Sequence, residues 1–275
     1  MKFTKMHGTG NDYIYINCFE ETIVEPVPLA VELSDRHFGV GADGIILICP
    51  SDEADFKMRM FNADGSEGKM CGNGIRCIGK YVYERHLTDK TEIMVETLSG
   101  IKKLQLQIEN GVVKTIRVDM GEPVIHAADI PVLSESPEFI NQPVTAGDLT
   151  YMMTCVSMGN PHGVIFVDDT AALDLPRIGP PLENHPIFPE RANIEFVQRI
   201  DDKTLKMRVW ERGSGETLAC GTGACAALVA SVLNNKSRRR AKLLLSGGEL
   251  HIDWNEINNH VYLSGSAEFV FDGEI

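Results

Sequence analysis

The stretch Arg59–Cys77 reads RMFNADGSEGKMCGNGIRC, and a second stretch, Arg208–Cys225, reads RVWERGSGETLACGTGAC. Each opens on a strand-like run, passes through a glycine-rich turn and delivers Cys-Gly-x-Gly to the start of an apolar, helix-like segment. Cys71 and Cys220 stand 149 positions apart (220 − 71), and the same offset carries Arg59 onto Arg208, Glu67 onto Glu216, Gly72 onto Gly221 and Gly74 onto Gly223. It also carries Gly10-Asn11 onto Gly159-Asn160, far upstream and with no gap between. Single glycines match by chance, but one offset that joins a Gly-Asn to a distant Cys-Gly-x-Gly points to a duplicated unit. Two copies imply a pseudo-symmetric pair of lobes and not a solenoid.

Outward from these stretches, Lys2–Met6 and Tyr13–Asn17 read as strands joined by a turn, and Pro28–His37 as a helix with proline in its first turn. Ile45–Cys49 and Phe56–Asn62 continue the strand pattern, and a helix is expected from about Cys71 to His86. Glu92–Leu98, Lys102–Ile108 and Val112–Met120 alternate apolar and polar residues around Ser-Gly and Asn-Gly turns. Met120-Gly121-Glu122-Pro123 marks a domain junction. The second half repeats the pattern with strands near Val144, Tyr151–Ser157, Val164–Val167, Ile194–Arg199 and Thr204–Glu211. A proline-rich connection is expected at Leu175–Pro189, then a helix from about Cys220 to Asn234 and four short strands ending near Phe271. The class is α+β: two pseudo-symmetric lobes, each a curved, mostly antiparallel sheet wrapped around a central helix.

A net charge of −13 over 275 residues argues against a nucleic-acid partner, which demands a basic face to neutralise phosphates. The one basic cluster, Lys236–Arg240, reads as a solvated helix end. No apolar run reaches signal-peptide or membrane-span length, so a cytoplasmic protein with no membrane partner is expected. Seven scattered cysteines, an odd number, suit a reducing compartment better than a disulfide framework. The spacings Cys71/Cys77 and Cys220/Cys225 fit structural zinc poorly, and a redox Cys-x-x-Cys is absent.

Cysteines at two glycine-opened helix starts suggest a carboxylate held by the N–H groups of Gly72, Asn73 and Gly74 and of Gly221, Thr222 and Gly223, with a thiol on either side of the adjacent carbon. One base and one acid on opposite faces is what inversion of a stereocentre requires. Lowering a thiol pKa by two units takes about 2.7 kcal/mol. A helix N-terminus supplies about 0.3–1 kcal/mol and at best roughly 2, so further polar groups are expected beside the sulfurs. The 149 offset pairs Tyr13 with His162 and Asn62 with Glu211, placing a titratable base and an acid on one copy only. Buried structural cysteines at two helix starts are the bland alternative.

GTGNDYIYIN, FNADGSEGKMCGNGIRC, MGNPHGVIFV, ERANIEFV and WERGSGETLACGTGACA together resemble the diaminopimelate epimerase family over nearly the whole chain. The resemblance implies interconversion of LL- and meso-diaminopimelate in the route to lysine and peptidoglycan precursors, with no cofactor, neither pyridoxal phosphate nor metal. It implies Cys71 and Cys220 as the acid/base pair, and His162 and Glu211 as groups that tune them. Gly72, Asn73, Gly221 and Thr222 would hold the carboxylate of the reacting centre, while Asn11, Asn62, Asn160, Asn193 and Arg212 would read the remaining groups. Some family members carry a glutamine where this chain has Gly44, which has no side chain to contribute. The resemblance further implies a homodimer, and two domains: residues 1–119 joined by the returning strands 263–275, and residues 120–262. A proline-racemase-like isomerase and a non-catalytic amino-acid-binding protein remain the rival readings.

Overall fold

The computed structural model describes the whole chain, Met1–Ile275, which divides into two units: Met1–Asp119 with Ser264–Ile275, and Met120–Leu263. In the first unit, β1 (Lys2–Gly8) and β2 (Asn11–Asn17) form a hairpin. Its turn is Thr9-Gly10, both at positive φ (58° and 82°), the geometry that matches strand twist in a two-residue loop. Helix α1 (Pro26–Ser34) follows, then β3 (Gly44–Cys49), β4 (Phe56–Asn62) and the short β5 (Glu67–Gly68). Helix α2 (Gly72–Glu84) precedes the meander β6 (Glu92–Thr97), β7 (Gly100–Glu109) and β8 (Val112–Asp119).

The second unit contains β9 (Gln142–Ala146), β10 (Leu149–Ser157), β11 (Pro161–Phe166), α3 (Leu175–Glu183), β12 (Asn193–Arg199), β13 (Thr204–Glu211) and β14 (Gly215–Thr217). Helix α4 (Gly221–Leu233), β15 (Arg240–Leu245), β16 (Gly248–Trp254) and the first three residues of β17 (Val261–Gly265) complete it. The last strand, β18 (Glu268–Glu274), returns to the first unit and pairs antiparallel along β1.

Most strand pairs in both units are antiparallel, and each unit has two parallel steps at equivalent places: β2/β3 and β4/β6 in the first, β11/β12 and β13/β15 in the second. The class is α+β, with the duplication visible element by element. Shifting α1 and α2 by 149 residues reproduces the bounds of α3 and α4. The shift also maps the β3/β4 pair Ile45↔Phe61 onto the β12/β13 pair Ile194↔Trp210. The copies part at the hairpin: Ser157 faces Pro161 across a three-residue loop with Gly159 at φ 94°, which shifts that register by one residue.

Two local expectations are corrected. The first helix starts earlier and ends earlier than Pro28–His37, because the Asp35 carboxylate accepts the N–H groups of His37 and Phe38 (2.7 and 2.8 Å) and pulls the chain into a turn. The proline-rich Leu175–Pro189 is not merely a connection, since its first part is α3. Pro176 suits a first turn, and Pro180 and Pro181 are tolerated because Leu175, Gly179 and Leu182 bury that face. A Cβ on Gly179 would lie 2.3 Å from the Trp210 ring, so the glycine sets how closely the helix approaches β13.

Each unit has its own core. Ile14, Ile16, Ala30, Leu33, Ile45, Leu47 and Phe61 form one in the first unit, and Phe139, Met153, Ile165, Leu182, Ile194 and Phe196 form one in the second. Helices α2 and α4 are buried along most of their length. Helix α4 is nearly all apolar, whereas α2 carries Arg76 and Lys80 inside and must satisfy them. Lys80 donates to the Val113 carbonyl (3.0 Å) and pairs with Glu84 (3.1 Å). The basic cluster after α4 is taken up locally: Arg238 pairs with Asp202, Arg240 with Asp253, and Arg239 stacks on Trp254 at 4.0 Å. No helix is long and apolar enough to cross a membrane.

Candidate active site

Cys71 and Cys220 are the N-caps of α2 and α4, in extended backbone, and each sulfur accepts the N–H of the third helical residue: Gly74 to Cys71 and Gly223 to Cys220, both at 3.3 Å. The Gly74 and Gly223 amides are therefore spent on the thiols and do not face an anion, which leaves Gly72, Asn73, Gly221 and Thr222 as the amides a carboxylate would meet. The second glycine of each motif is a matter of space. A Cβ on Gly74 would lie 2.5 Å from Ile46, and one on Gly223 would lie 2.6 Å from Glu195 Oε1.

In the first unit the Cys71 thiol donates to Asn11 Oδ1 (3.3 Å), and the Asn73 amide approaches the same oxygen at 3.5 Å. Asn11 is held in turn by its own donation to Asp43 Oδ2 (2.7 Å), and Asp43 also accepts the Asp12 N–H. Burial, then the charge of Asp12, pushes the Asp43 carboxyl up, while hydrogen bonds from Asp12 and Asn11 oppose the shift. Arg76 is fully buried and ties the region together, reaching Gly72 O (3.0 Å), Asn73 Oδ1 (3.0 Å), Thr9 Oγ1 (2.7 Å) and Ser266 O (3.2 Å). Asn62 turns its amide to Ser66 Oγ (3.0 Å). At Gly44 a Cβ would lie 2.1 Å from the Phe61 carbonyl oxygen, so this chain has no room for a glutamine there.

In the second unit, β11 and β12 bring His162 and Asn193 into register. His162 is fully buried: Nδ1 lies 2.7 Å from Glu195 Oε1 and Nε2 lies 3.0 Å from Asn160 Oδ1. Both ring nitrogens are thus engaged, which fixes the orientation of the imidazole. Glu195 is itself fully buried, and its Oε2 has no hydrogen-bond partner. Glu211 accepts from Thr217 Oγ1, the Cys220 sulfur lies 3.5 Å from Thr222 Oγ1, and burial pushes the Glu211 carboxyl up. Burial, then the charges of Glu211 and Glu195, pushes the Cys220 thiol well above its ordinary value, outweighing the Thr222 hydroxyl and the Gly223 amide. Asn193 donates to Pro161 O (3.1 Å) and accepts the Arg212 N–H (3.0 Å), and the Arg212 guanidinium reaches Glu190 O at 2.9 Å.

Within the first unit, then, Asn11, Gly72 and Asn73 gather at Cys71, and Asn62 is turned to a neighbouring loop. Within the second, Asn160, His162, Glu211, Gly221 and Thr222 gather at Cys220, with Asn193 and Arg212 linked to one another beside them. Sequence reasoning missed Asp43, Arg76 and Glu195. Only Glu195 left a signal, as a carboxylate inside the apolar run of strand β12, at the offset position where the first copy has Ile46. Cys77 and Cys225, the other motif cysteines, are fully buried on the helices. Burial pushes Cys77 up to about 12. Nowhere do three or more histidine, cysteine or carboxylate side chains converge as a metal would require.

Fold and site together define a duplicated α+β protein that presents one helix-capping thiol in each copy. The chain belongs to the diaminopimelate epimerase family, whose sequence profile matches residues 3–126 and 154–270. A diaminopimelate epimerase of Acetivibrio thermocellus is 60% identical over 275 residues, covering 100% of this chain and 98% of the relative. One from Methanococcus maripaludis strain C5 is 57% identical, covering 100% and 99%. Among solved structures, a probable proline racemase from Agrobacterium radiobacter K84 superimposes with a TM-score of 0.72 at 13% identity, covering 100% of this chain and 92% of that one, a likeness of fold.

Proposed function

We infer that this chain is an isomerase that interconverts LL- and meso-diaminopimelate, a step of lysine biosynthesis. Membership of the family and relatives of that name at 60% and 57% identity support the substrate. The observation that carries the chemistry is the thiol that caps a buried helix at the same place in each copy. One sulfur as thiolate takes the proton from the substrate α-carbon, and the other as thiol gives a proton to the opposite face. Roles exchange with direction, and each turnover leaves the pair inverted. Burial and the charges of Glu211 and Glu195 favour the thiol form of Cys220, so we assign it the acid's role in the resting state and Cys71 the base's.

The amides of Gly72, Asn73, Gly221 and Thr222 hold the carboxylate beside the reacting carbon, where a helix end stabilises the developing negative charge. His162 and Glu211 set the proton inventory around Cys220. Asn11, Asn62, Asn160, Asn193 and Arg212 read the other amino and carboxylate groups. A shorter amino acid would leave those polar groups without their substrate partners, which selects for the two-headed substrate. The same reading takes the protein to be a cytoplasmic homodimer, checked by sedimentation equilibrium.

Incubation with LL-diaminopimelate in heavy water tests the assignment: solvent deuterium enters the α-carbon as the meso form accumulates. Substrate recovered without deuterium or meso product would overturn it. Cys71→Ala and Cys220→Ala should each lower kcat by about 10²–10⁴-fold or more with the fold retained, the range general acid–base groups supply. Near-normal turnover in either variant would remove the two-thiol mechanism.

A further inference from the structure

We propose that Cys18 and Cys49 form a dithiol that takes up a disulfide bond by exchange with a small oxidised disulfide, a modification site separate from Cys71 and Cys220. The register places them together. Strands β2 and β3 run parallel, with Asn17 opposite Ile48 as the last pair, and Cys18 and Cys49 are the next residue on each. The Cys18 N–H donates to the Ile48 carbonyl at 2.9 Å, so the strands stay joined past that pair. Alternation puts the two sulfurs on one face: Ile14, Ile16 and Cys18 on β2 and its extension, and Ile45, Leu47 and Cys49 on β3, all meet the same apolar cluster. Neighbouring strands lie about 4.8 Å apart, inside the roughly 4.4–6.8 Å between Cα atoms that a disulfide spans.

The chemistry of the pair is asymmetric in the way exchange requires. Cys18 Sγ donates to the Ile16 carbonyl oxygen at 3.9 Å, with the Cys49 side chain beside it across the sheet. The neighbouring Cys18 thiol, against burial and with help from Arg59 and Lys57, holds the Cys49 thiol below its ordinary value. The Cys49 side chain, then burial, holds Cys18 up. Lys57 lies directly opposite Cys49 in the register of β4. Both cysteines are half-buried, so a small reagent reaches them, whereas Cys77, Cys155 and Cys225 are closed off. Lys57 and Arg59 are themselves paired with Glu96 and Glu67 (2.7 and 2.8 Å); a thiol that loses its proton more readily than usual beside a second, resolving thiol is an environment that favours exchange.

In the exchange, the Cys49 thiolate attacks one sulfur of the small disulfide and expels a thiolate. Cys18 then gives up its proton and attacks the Cys49 sulfur of the mixed disulfide, expelling the second thiolate. The protein loses two hydrogens and the small disulfide is reduced to two thiols. The bond closes the segment from Cys18 to Cys49, which contains α1, and so constrains the unfolded chain. It lies at the far ends of β2 and β3 from Asn11 and Gly44, roughly 20 Å by strand rise, and leaves the reaction site in place.

The test exposes the protein to oxidised glutathione, blocks remaining thiols with iodoacetamide and maps peptides without reduction. The expected product is a Cys18–Cys49 peptide pair that separates on reduction and is absent from Cys18→Ser. The melting midpoint of oxidised wild type should rise by on the order of 5 °C over oxidised Cys18→Ser. Alkylation of both Cys18 and Cys49 after exposure, or a stable glutathione adduct on Cys49 with Cys18 alkylated, would overturn the proposal. An unchanged midpoint in cross-linked protein would overturn the constraint it places on the chain.

Discussion

A buried carboxylate with one oxygen spent on His162 and the other on nothing is the most consequential side chain near Cys220 outside the motifs. Glu195 fixes the imidazole through Nδ1 at 2.7 Å and adds to the negative charge that raises Cys220. The sign follows directly. A thiol pushed up by a carboxylate stays protonated to higher pH, so removing that charge lets it ionise earlier. On the proposed assignment of Cys220 as the acid, the alkaline limb of the kcat/KM profile in Glu195→Gln therefore moves to lower pH. An alkaline limb that stays where wild type has it would count against this role. Disturbing a buried hydrogen bond to a charged group is also costly, about 1–3 kcal/mol, so a fall in melting temperature should accompany the shift. Of the thirteen residues singled out from sequence, those bearing a sulfur or a motif glycine were legible because their chemistry is local. Asp43 and Arg76 were not, because their partners Asn11, Thr9 and Ser266 are distant in sequence, and Glu195 showed only as a carboxylate in an apolar run.

At the scale of elements, close backbone approach decides what each position accepts. Gly44 opens β3 opposite Asn62, with the Phe61 carbonyl oxygen 2.1 Å from where a Cβ would stand. Gly44→Ala should cost about 1–3 kcal/mol or more, the usual range for overpacking, read as a lower denaturant midpoint. Wild-type stability in that variant would mean that β3 and β4 can separate freely. The hairpin β1/β2 is tied down by charge as well as register: Asp12 meets Lys5 at 2.9 Å and Arg36 at 2.8 Å. Although burial pushes the Asp12 carboxyl up, hydrogen bonds from Arg36 and Lys5 and their charges outweigh it, leaving the group below its usual value. A depressed carboxylate stabilises the fold above its unfolded pKa, and that contribution is lost as pH falls through the folded one. Arg36→Gln should therefore bring acid unfolding to a higher pH; coincident acid transitions would refute the coupling. The helix over Leu175–Glu183 shows where local signals fail. Its prolines argue against a helix, and only burial of Leu175, Gly179 and Leu182 overrides them.

For the whole molecule, the chain leaves the first unit after Asp119 and returns to it at Ser264. The returning strand β18 covers β1 from Lys2 to His7, Asp272 accepts from Thr4 (2.6 Å) and pairs with Arg85 (2.7 Å), and Arg76 reaches Ser266 O. Truncation before Ala267 should expose the β1 edge, with loss of amide protection on β1 and a melting point lower by several degrees, since strand edges and their apolar faces are lost together. Full protection of β1 in the truncated chain would show that β18 is dispensable. The sequence by itself determined the duplication, the two helix starts and the thiols that cap them, because an unbroken offset of 149 and a glycine-rich turn are properties of the order of residues. It determined the family for the same reason. Only the tertiary structure decided that Gly74 and Gly223 spend their amides on sulfur, that Glu195 rather than a neighbour on its own strand holds His162, and that Cys18 and Cys49 share a face. Those outcomes depend on register and on the space between strands, and alternation along a strand does not specify which residue of the next strand it meets.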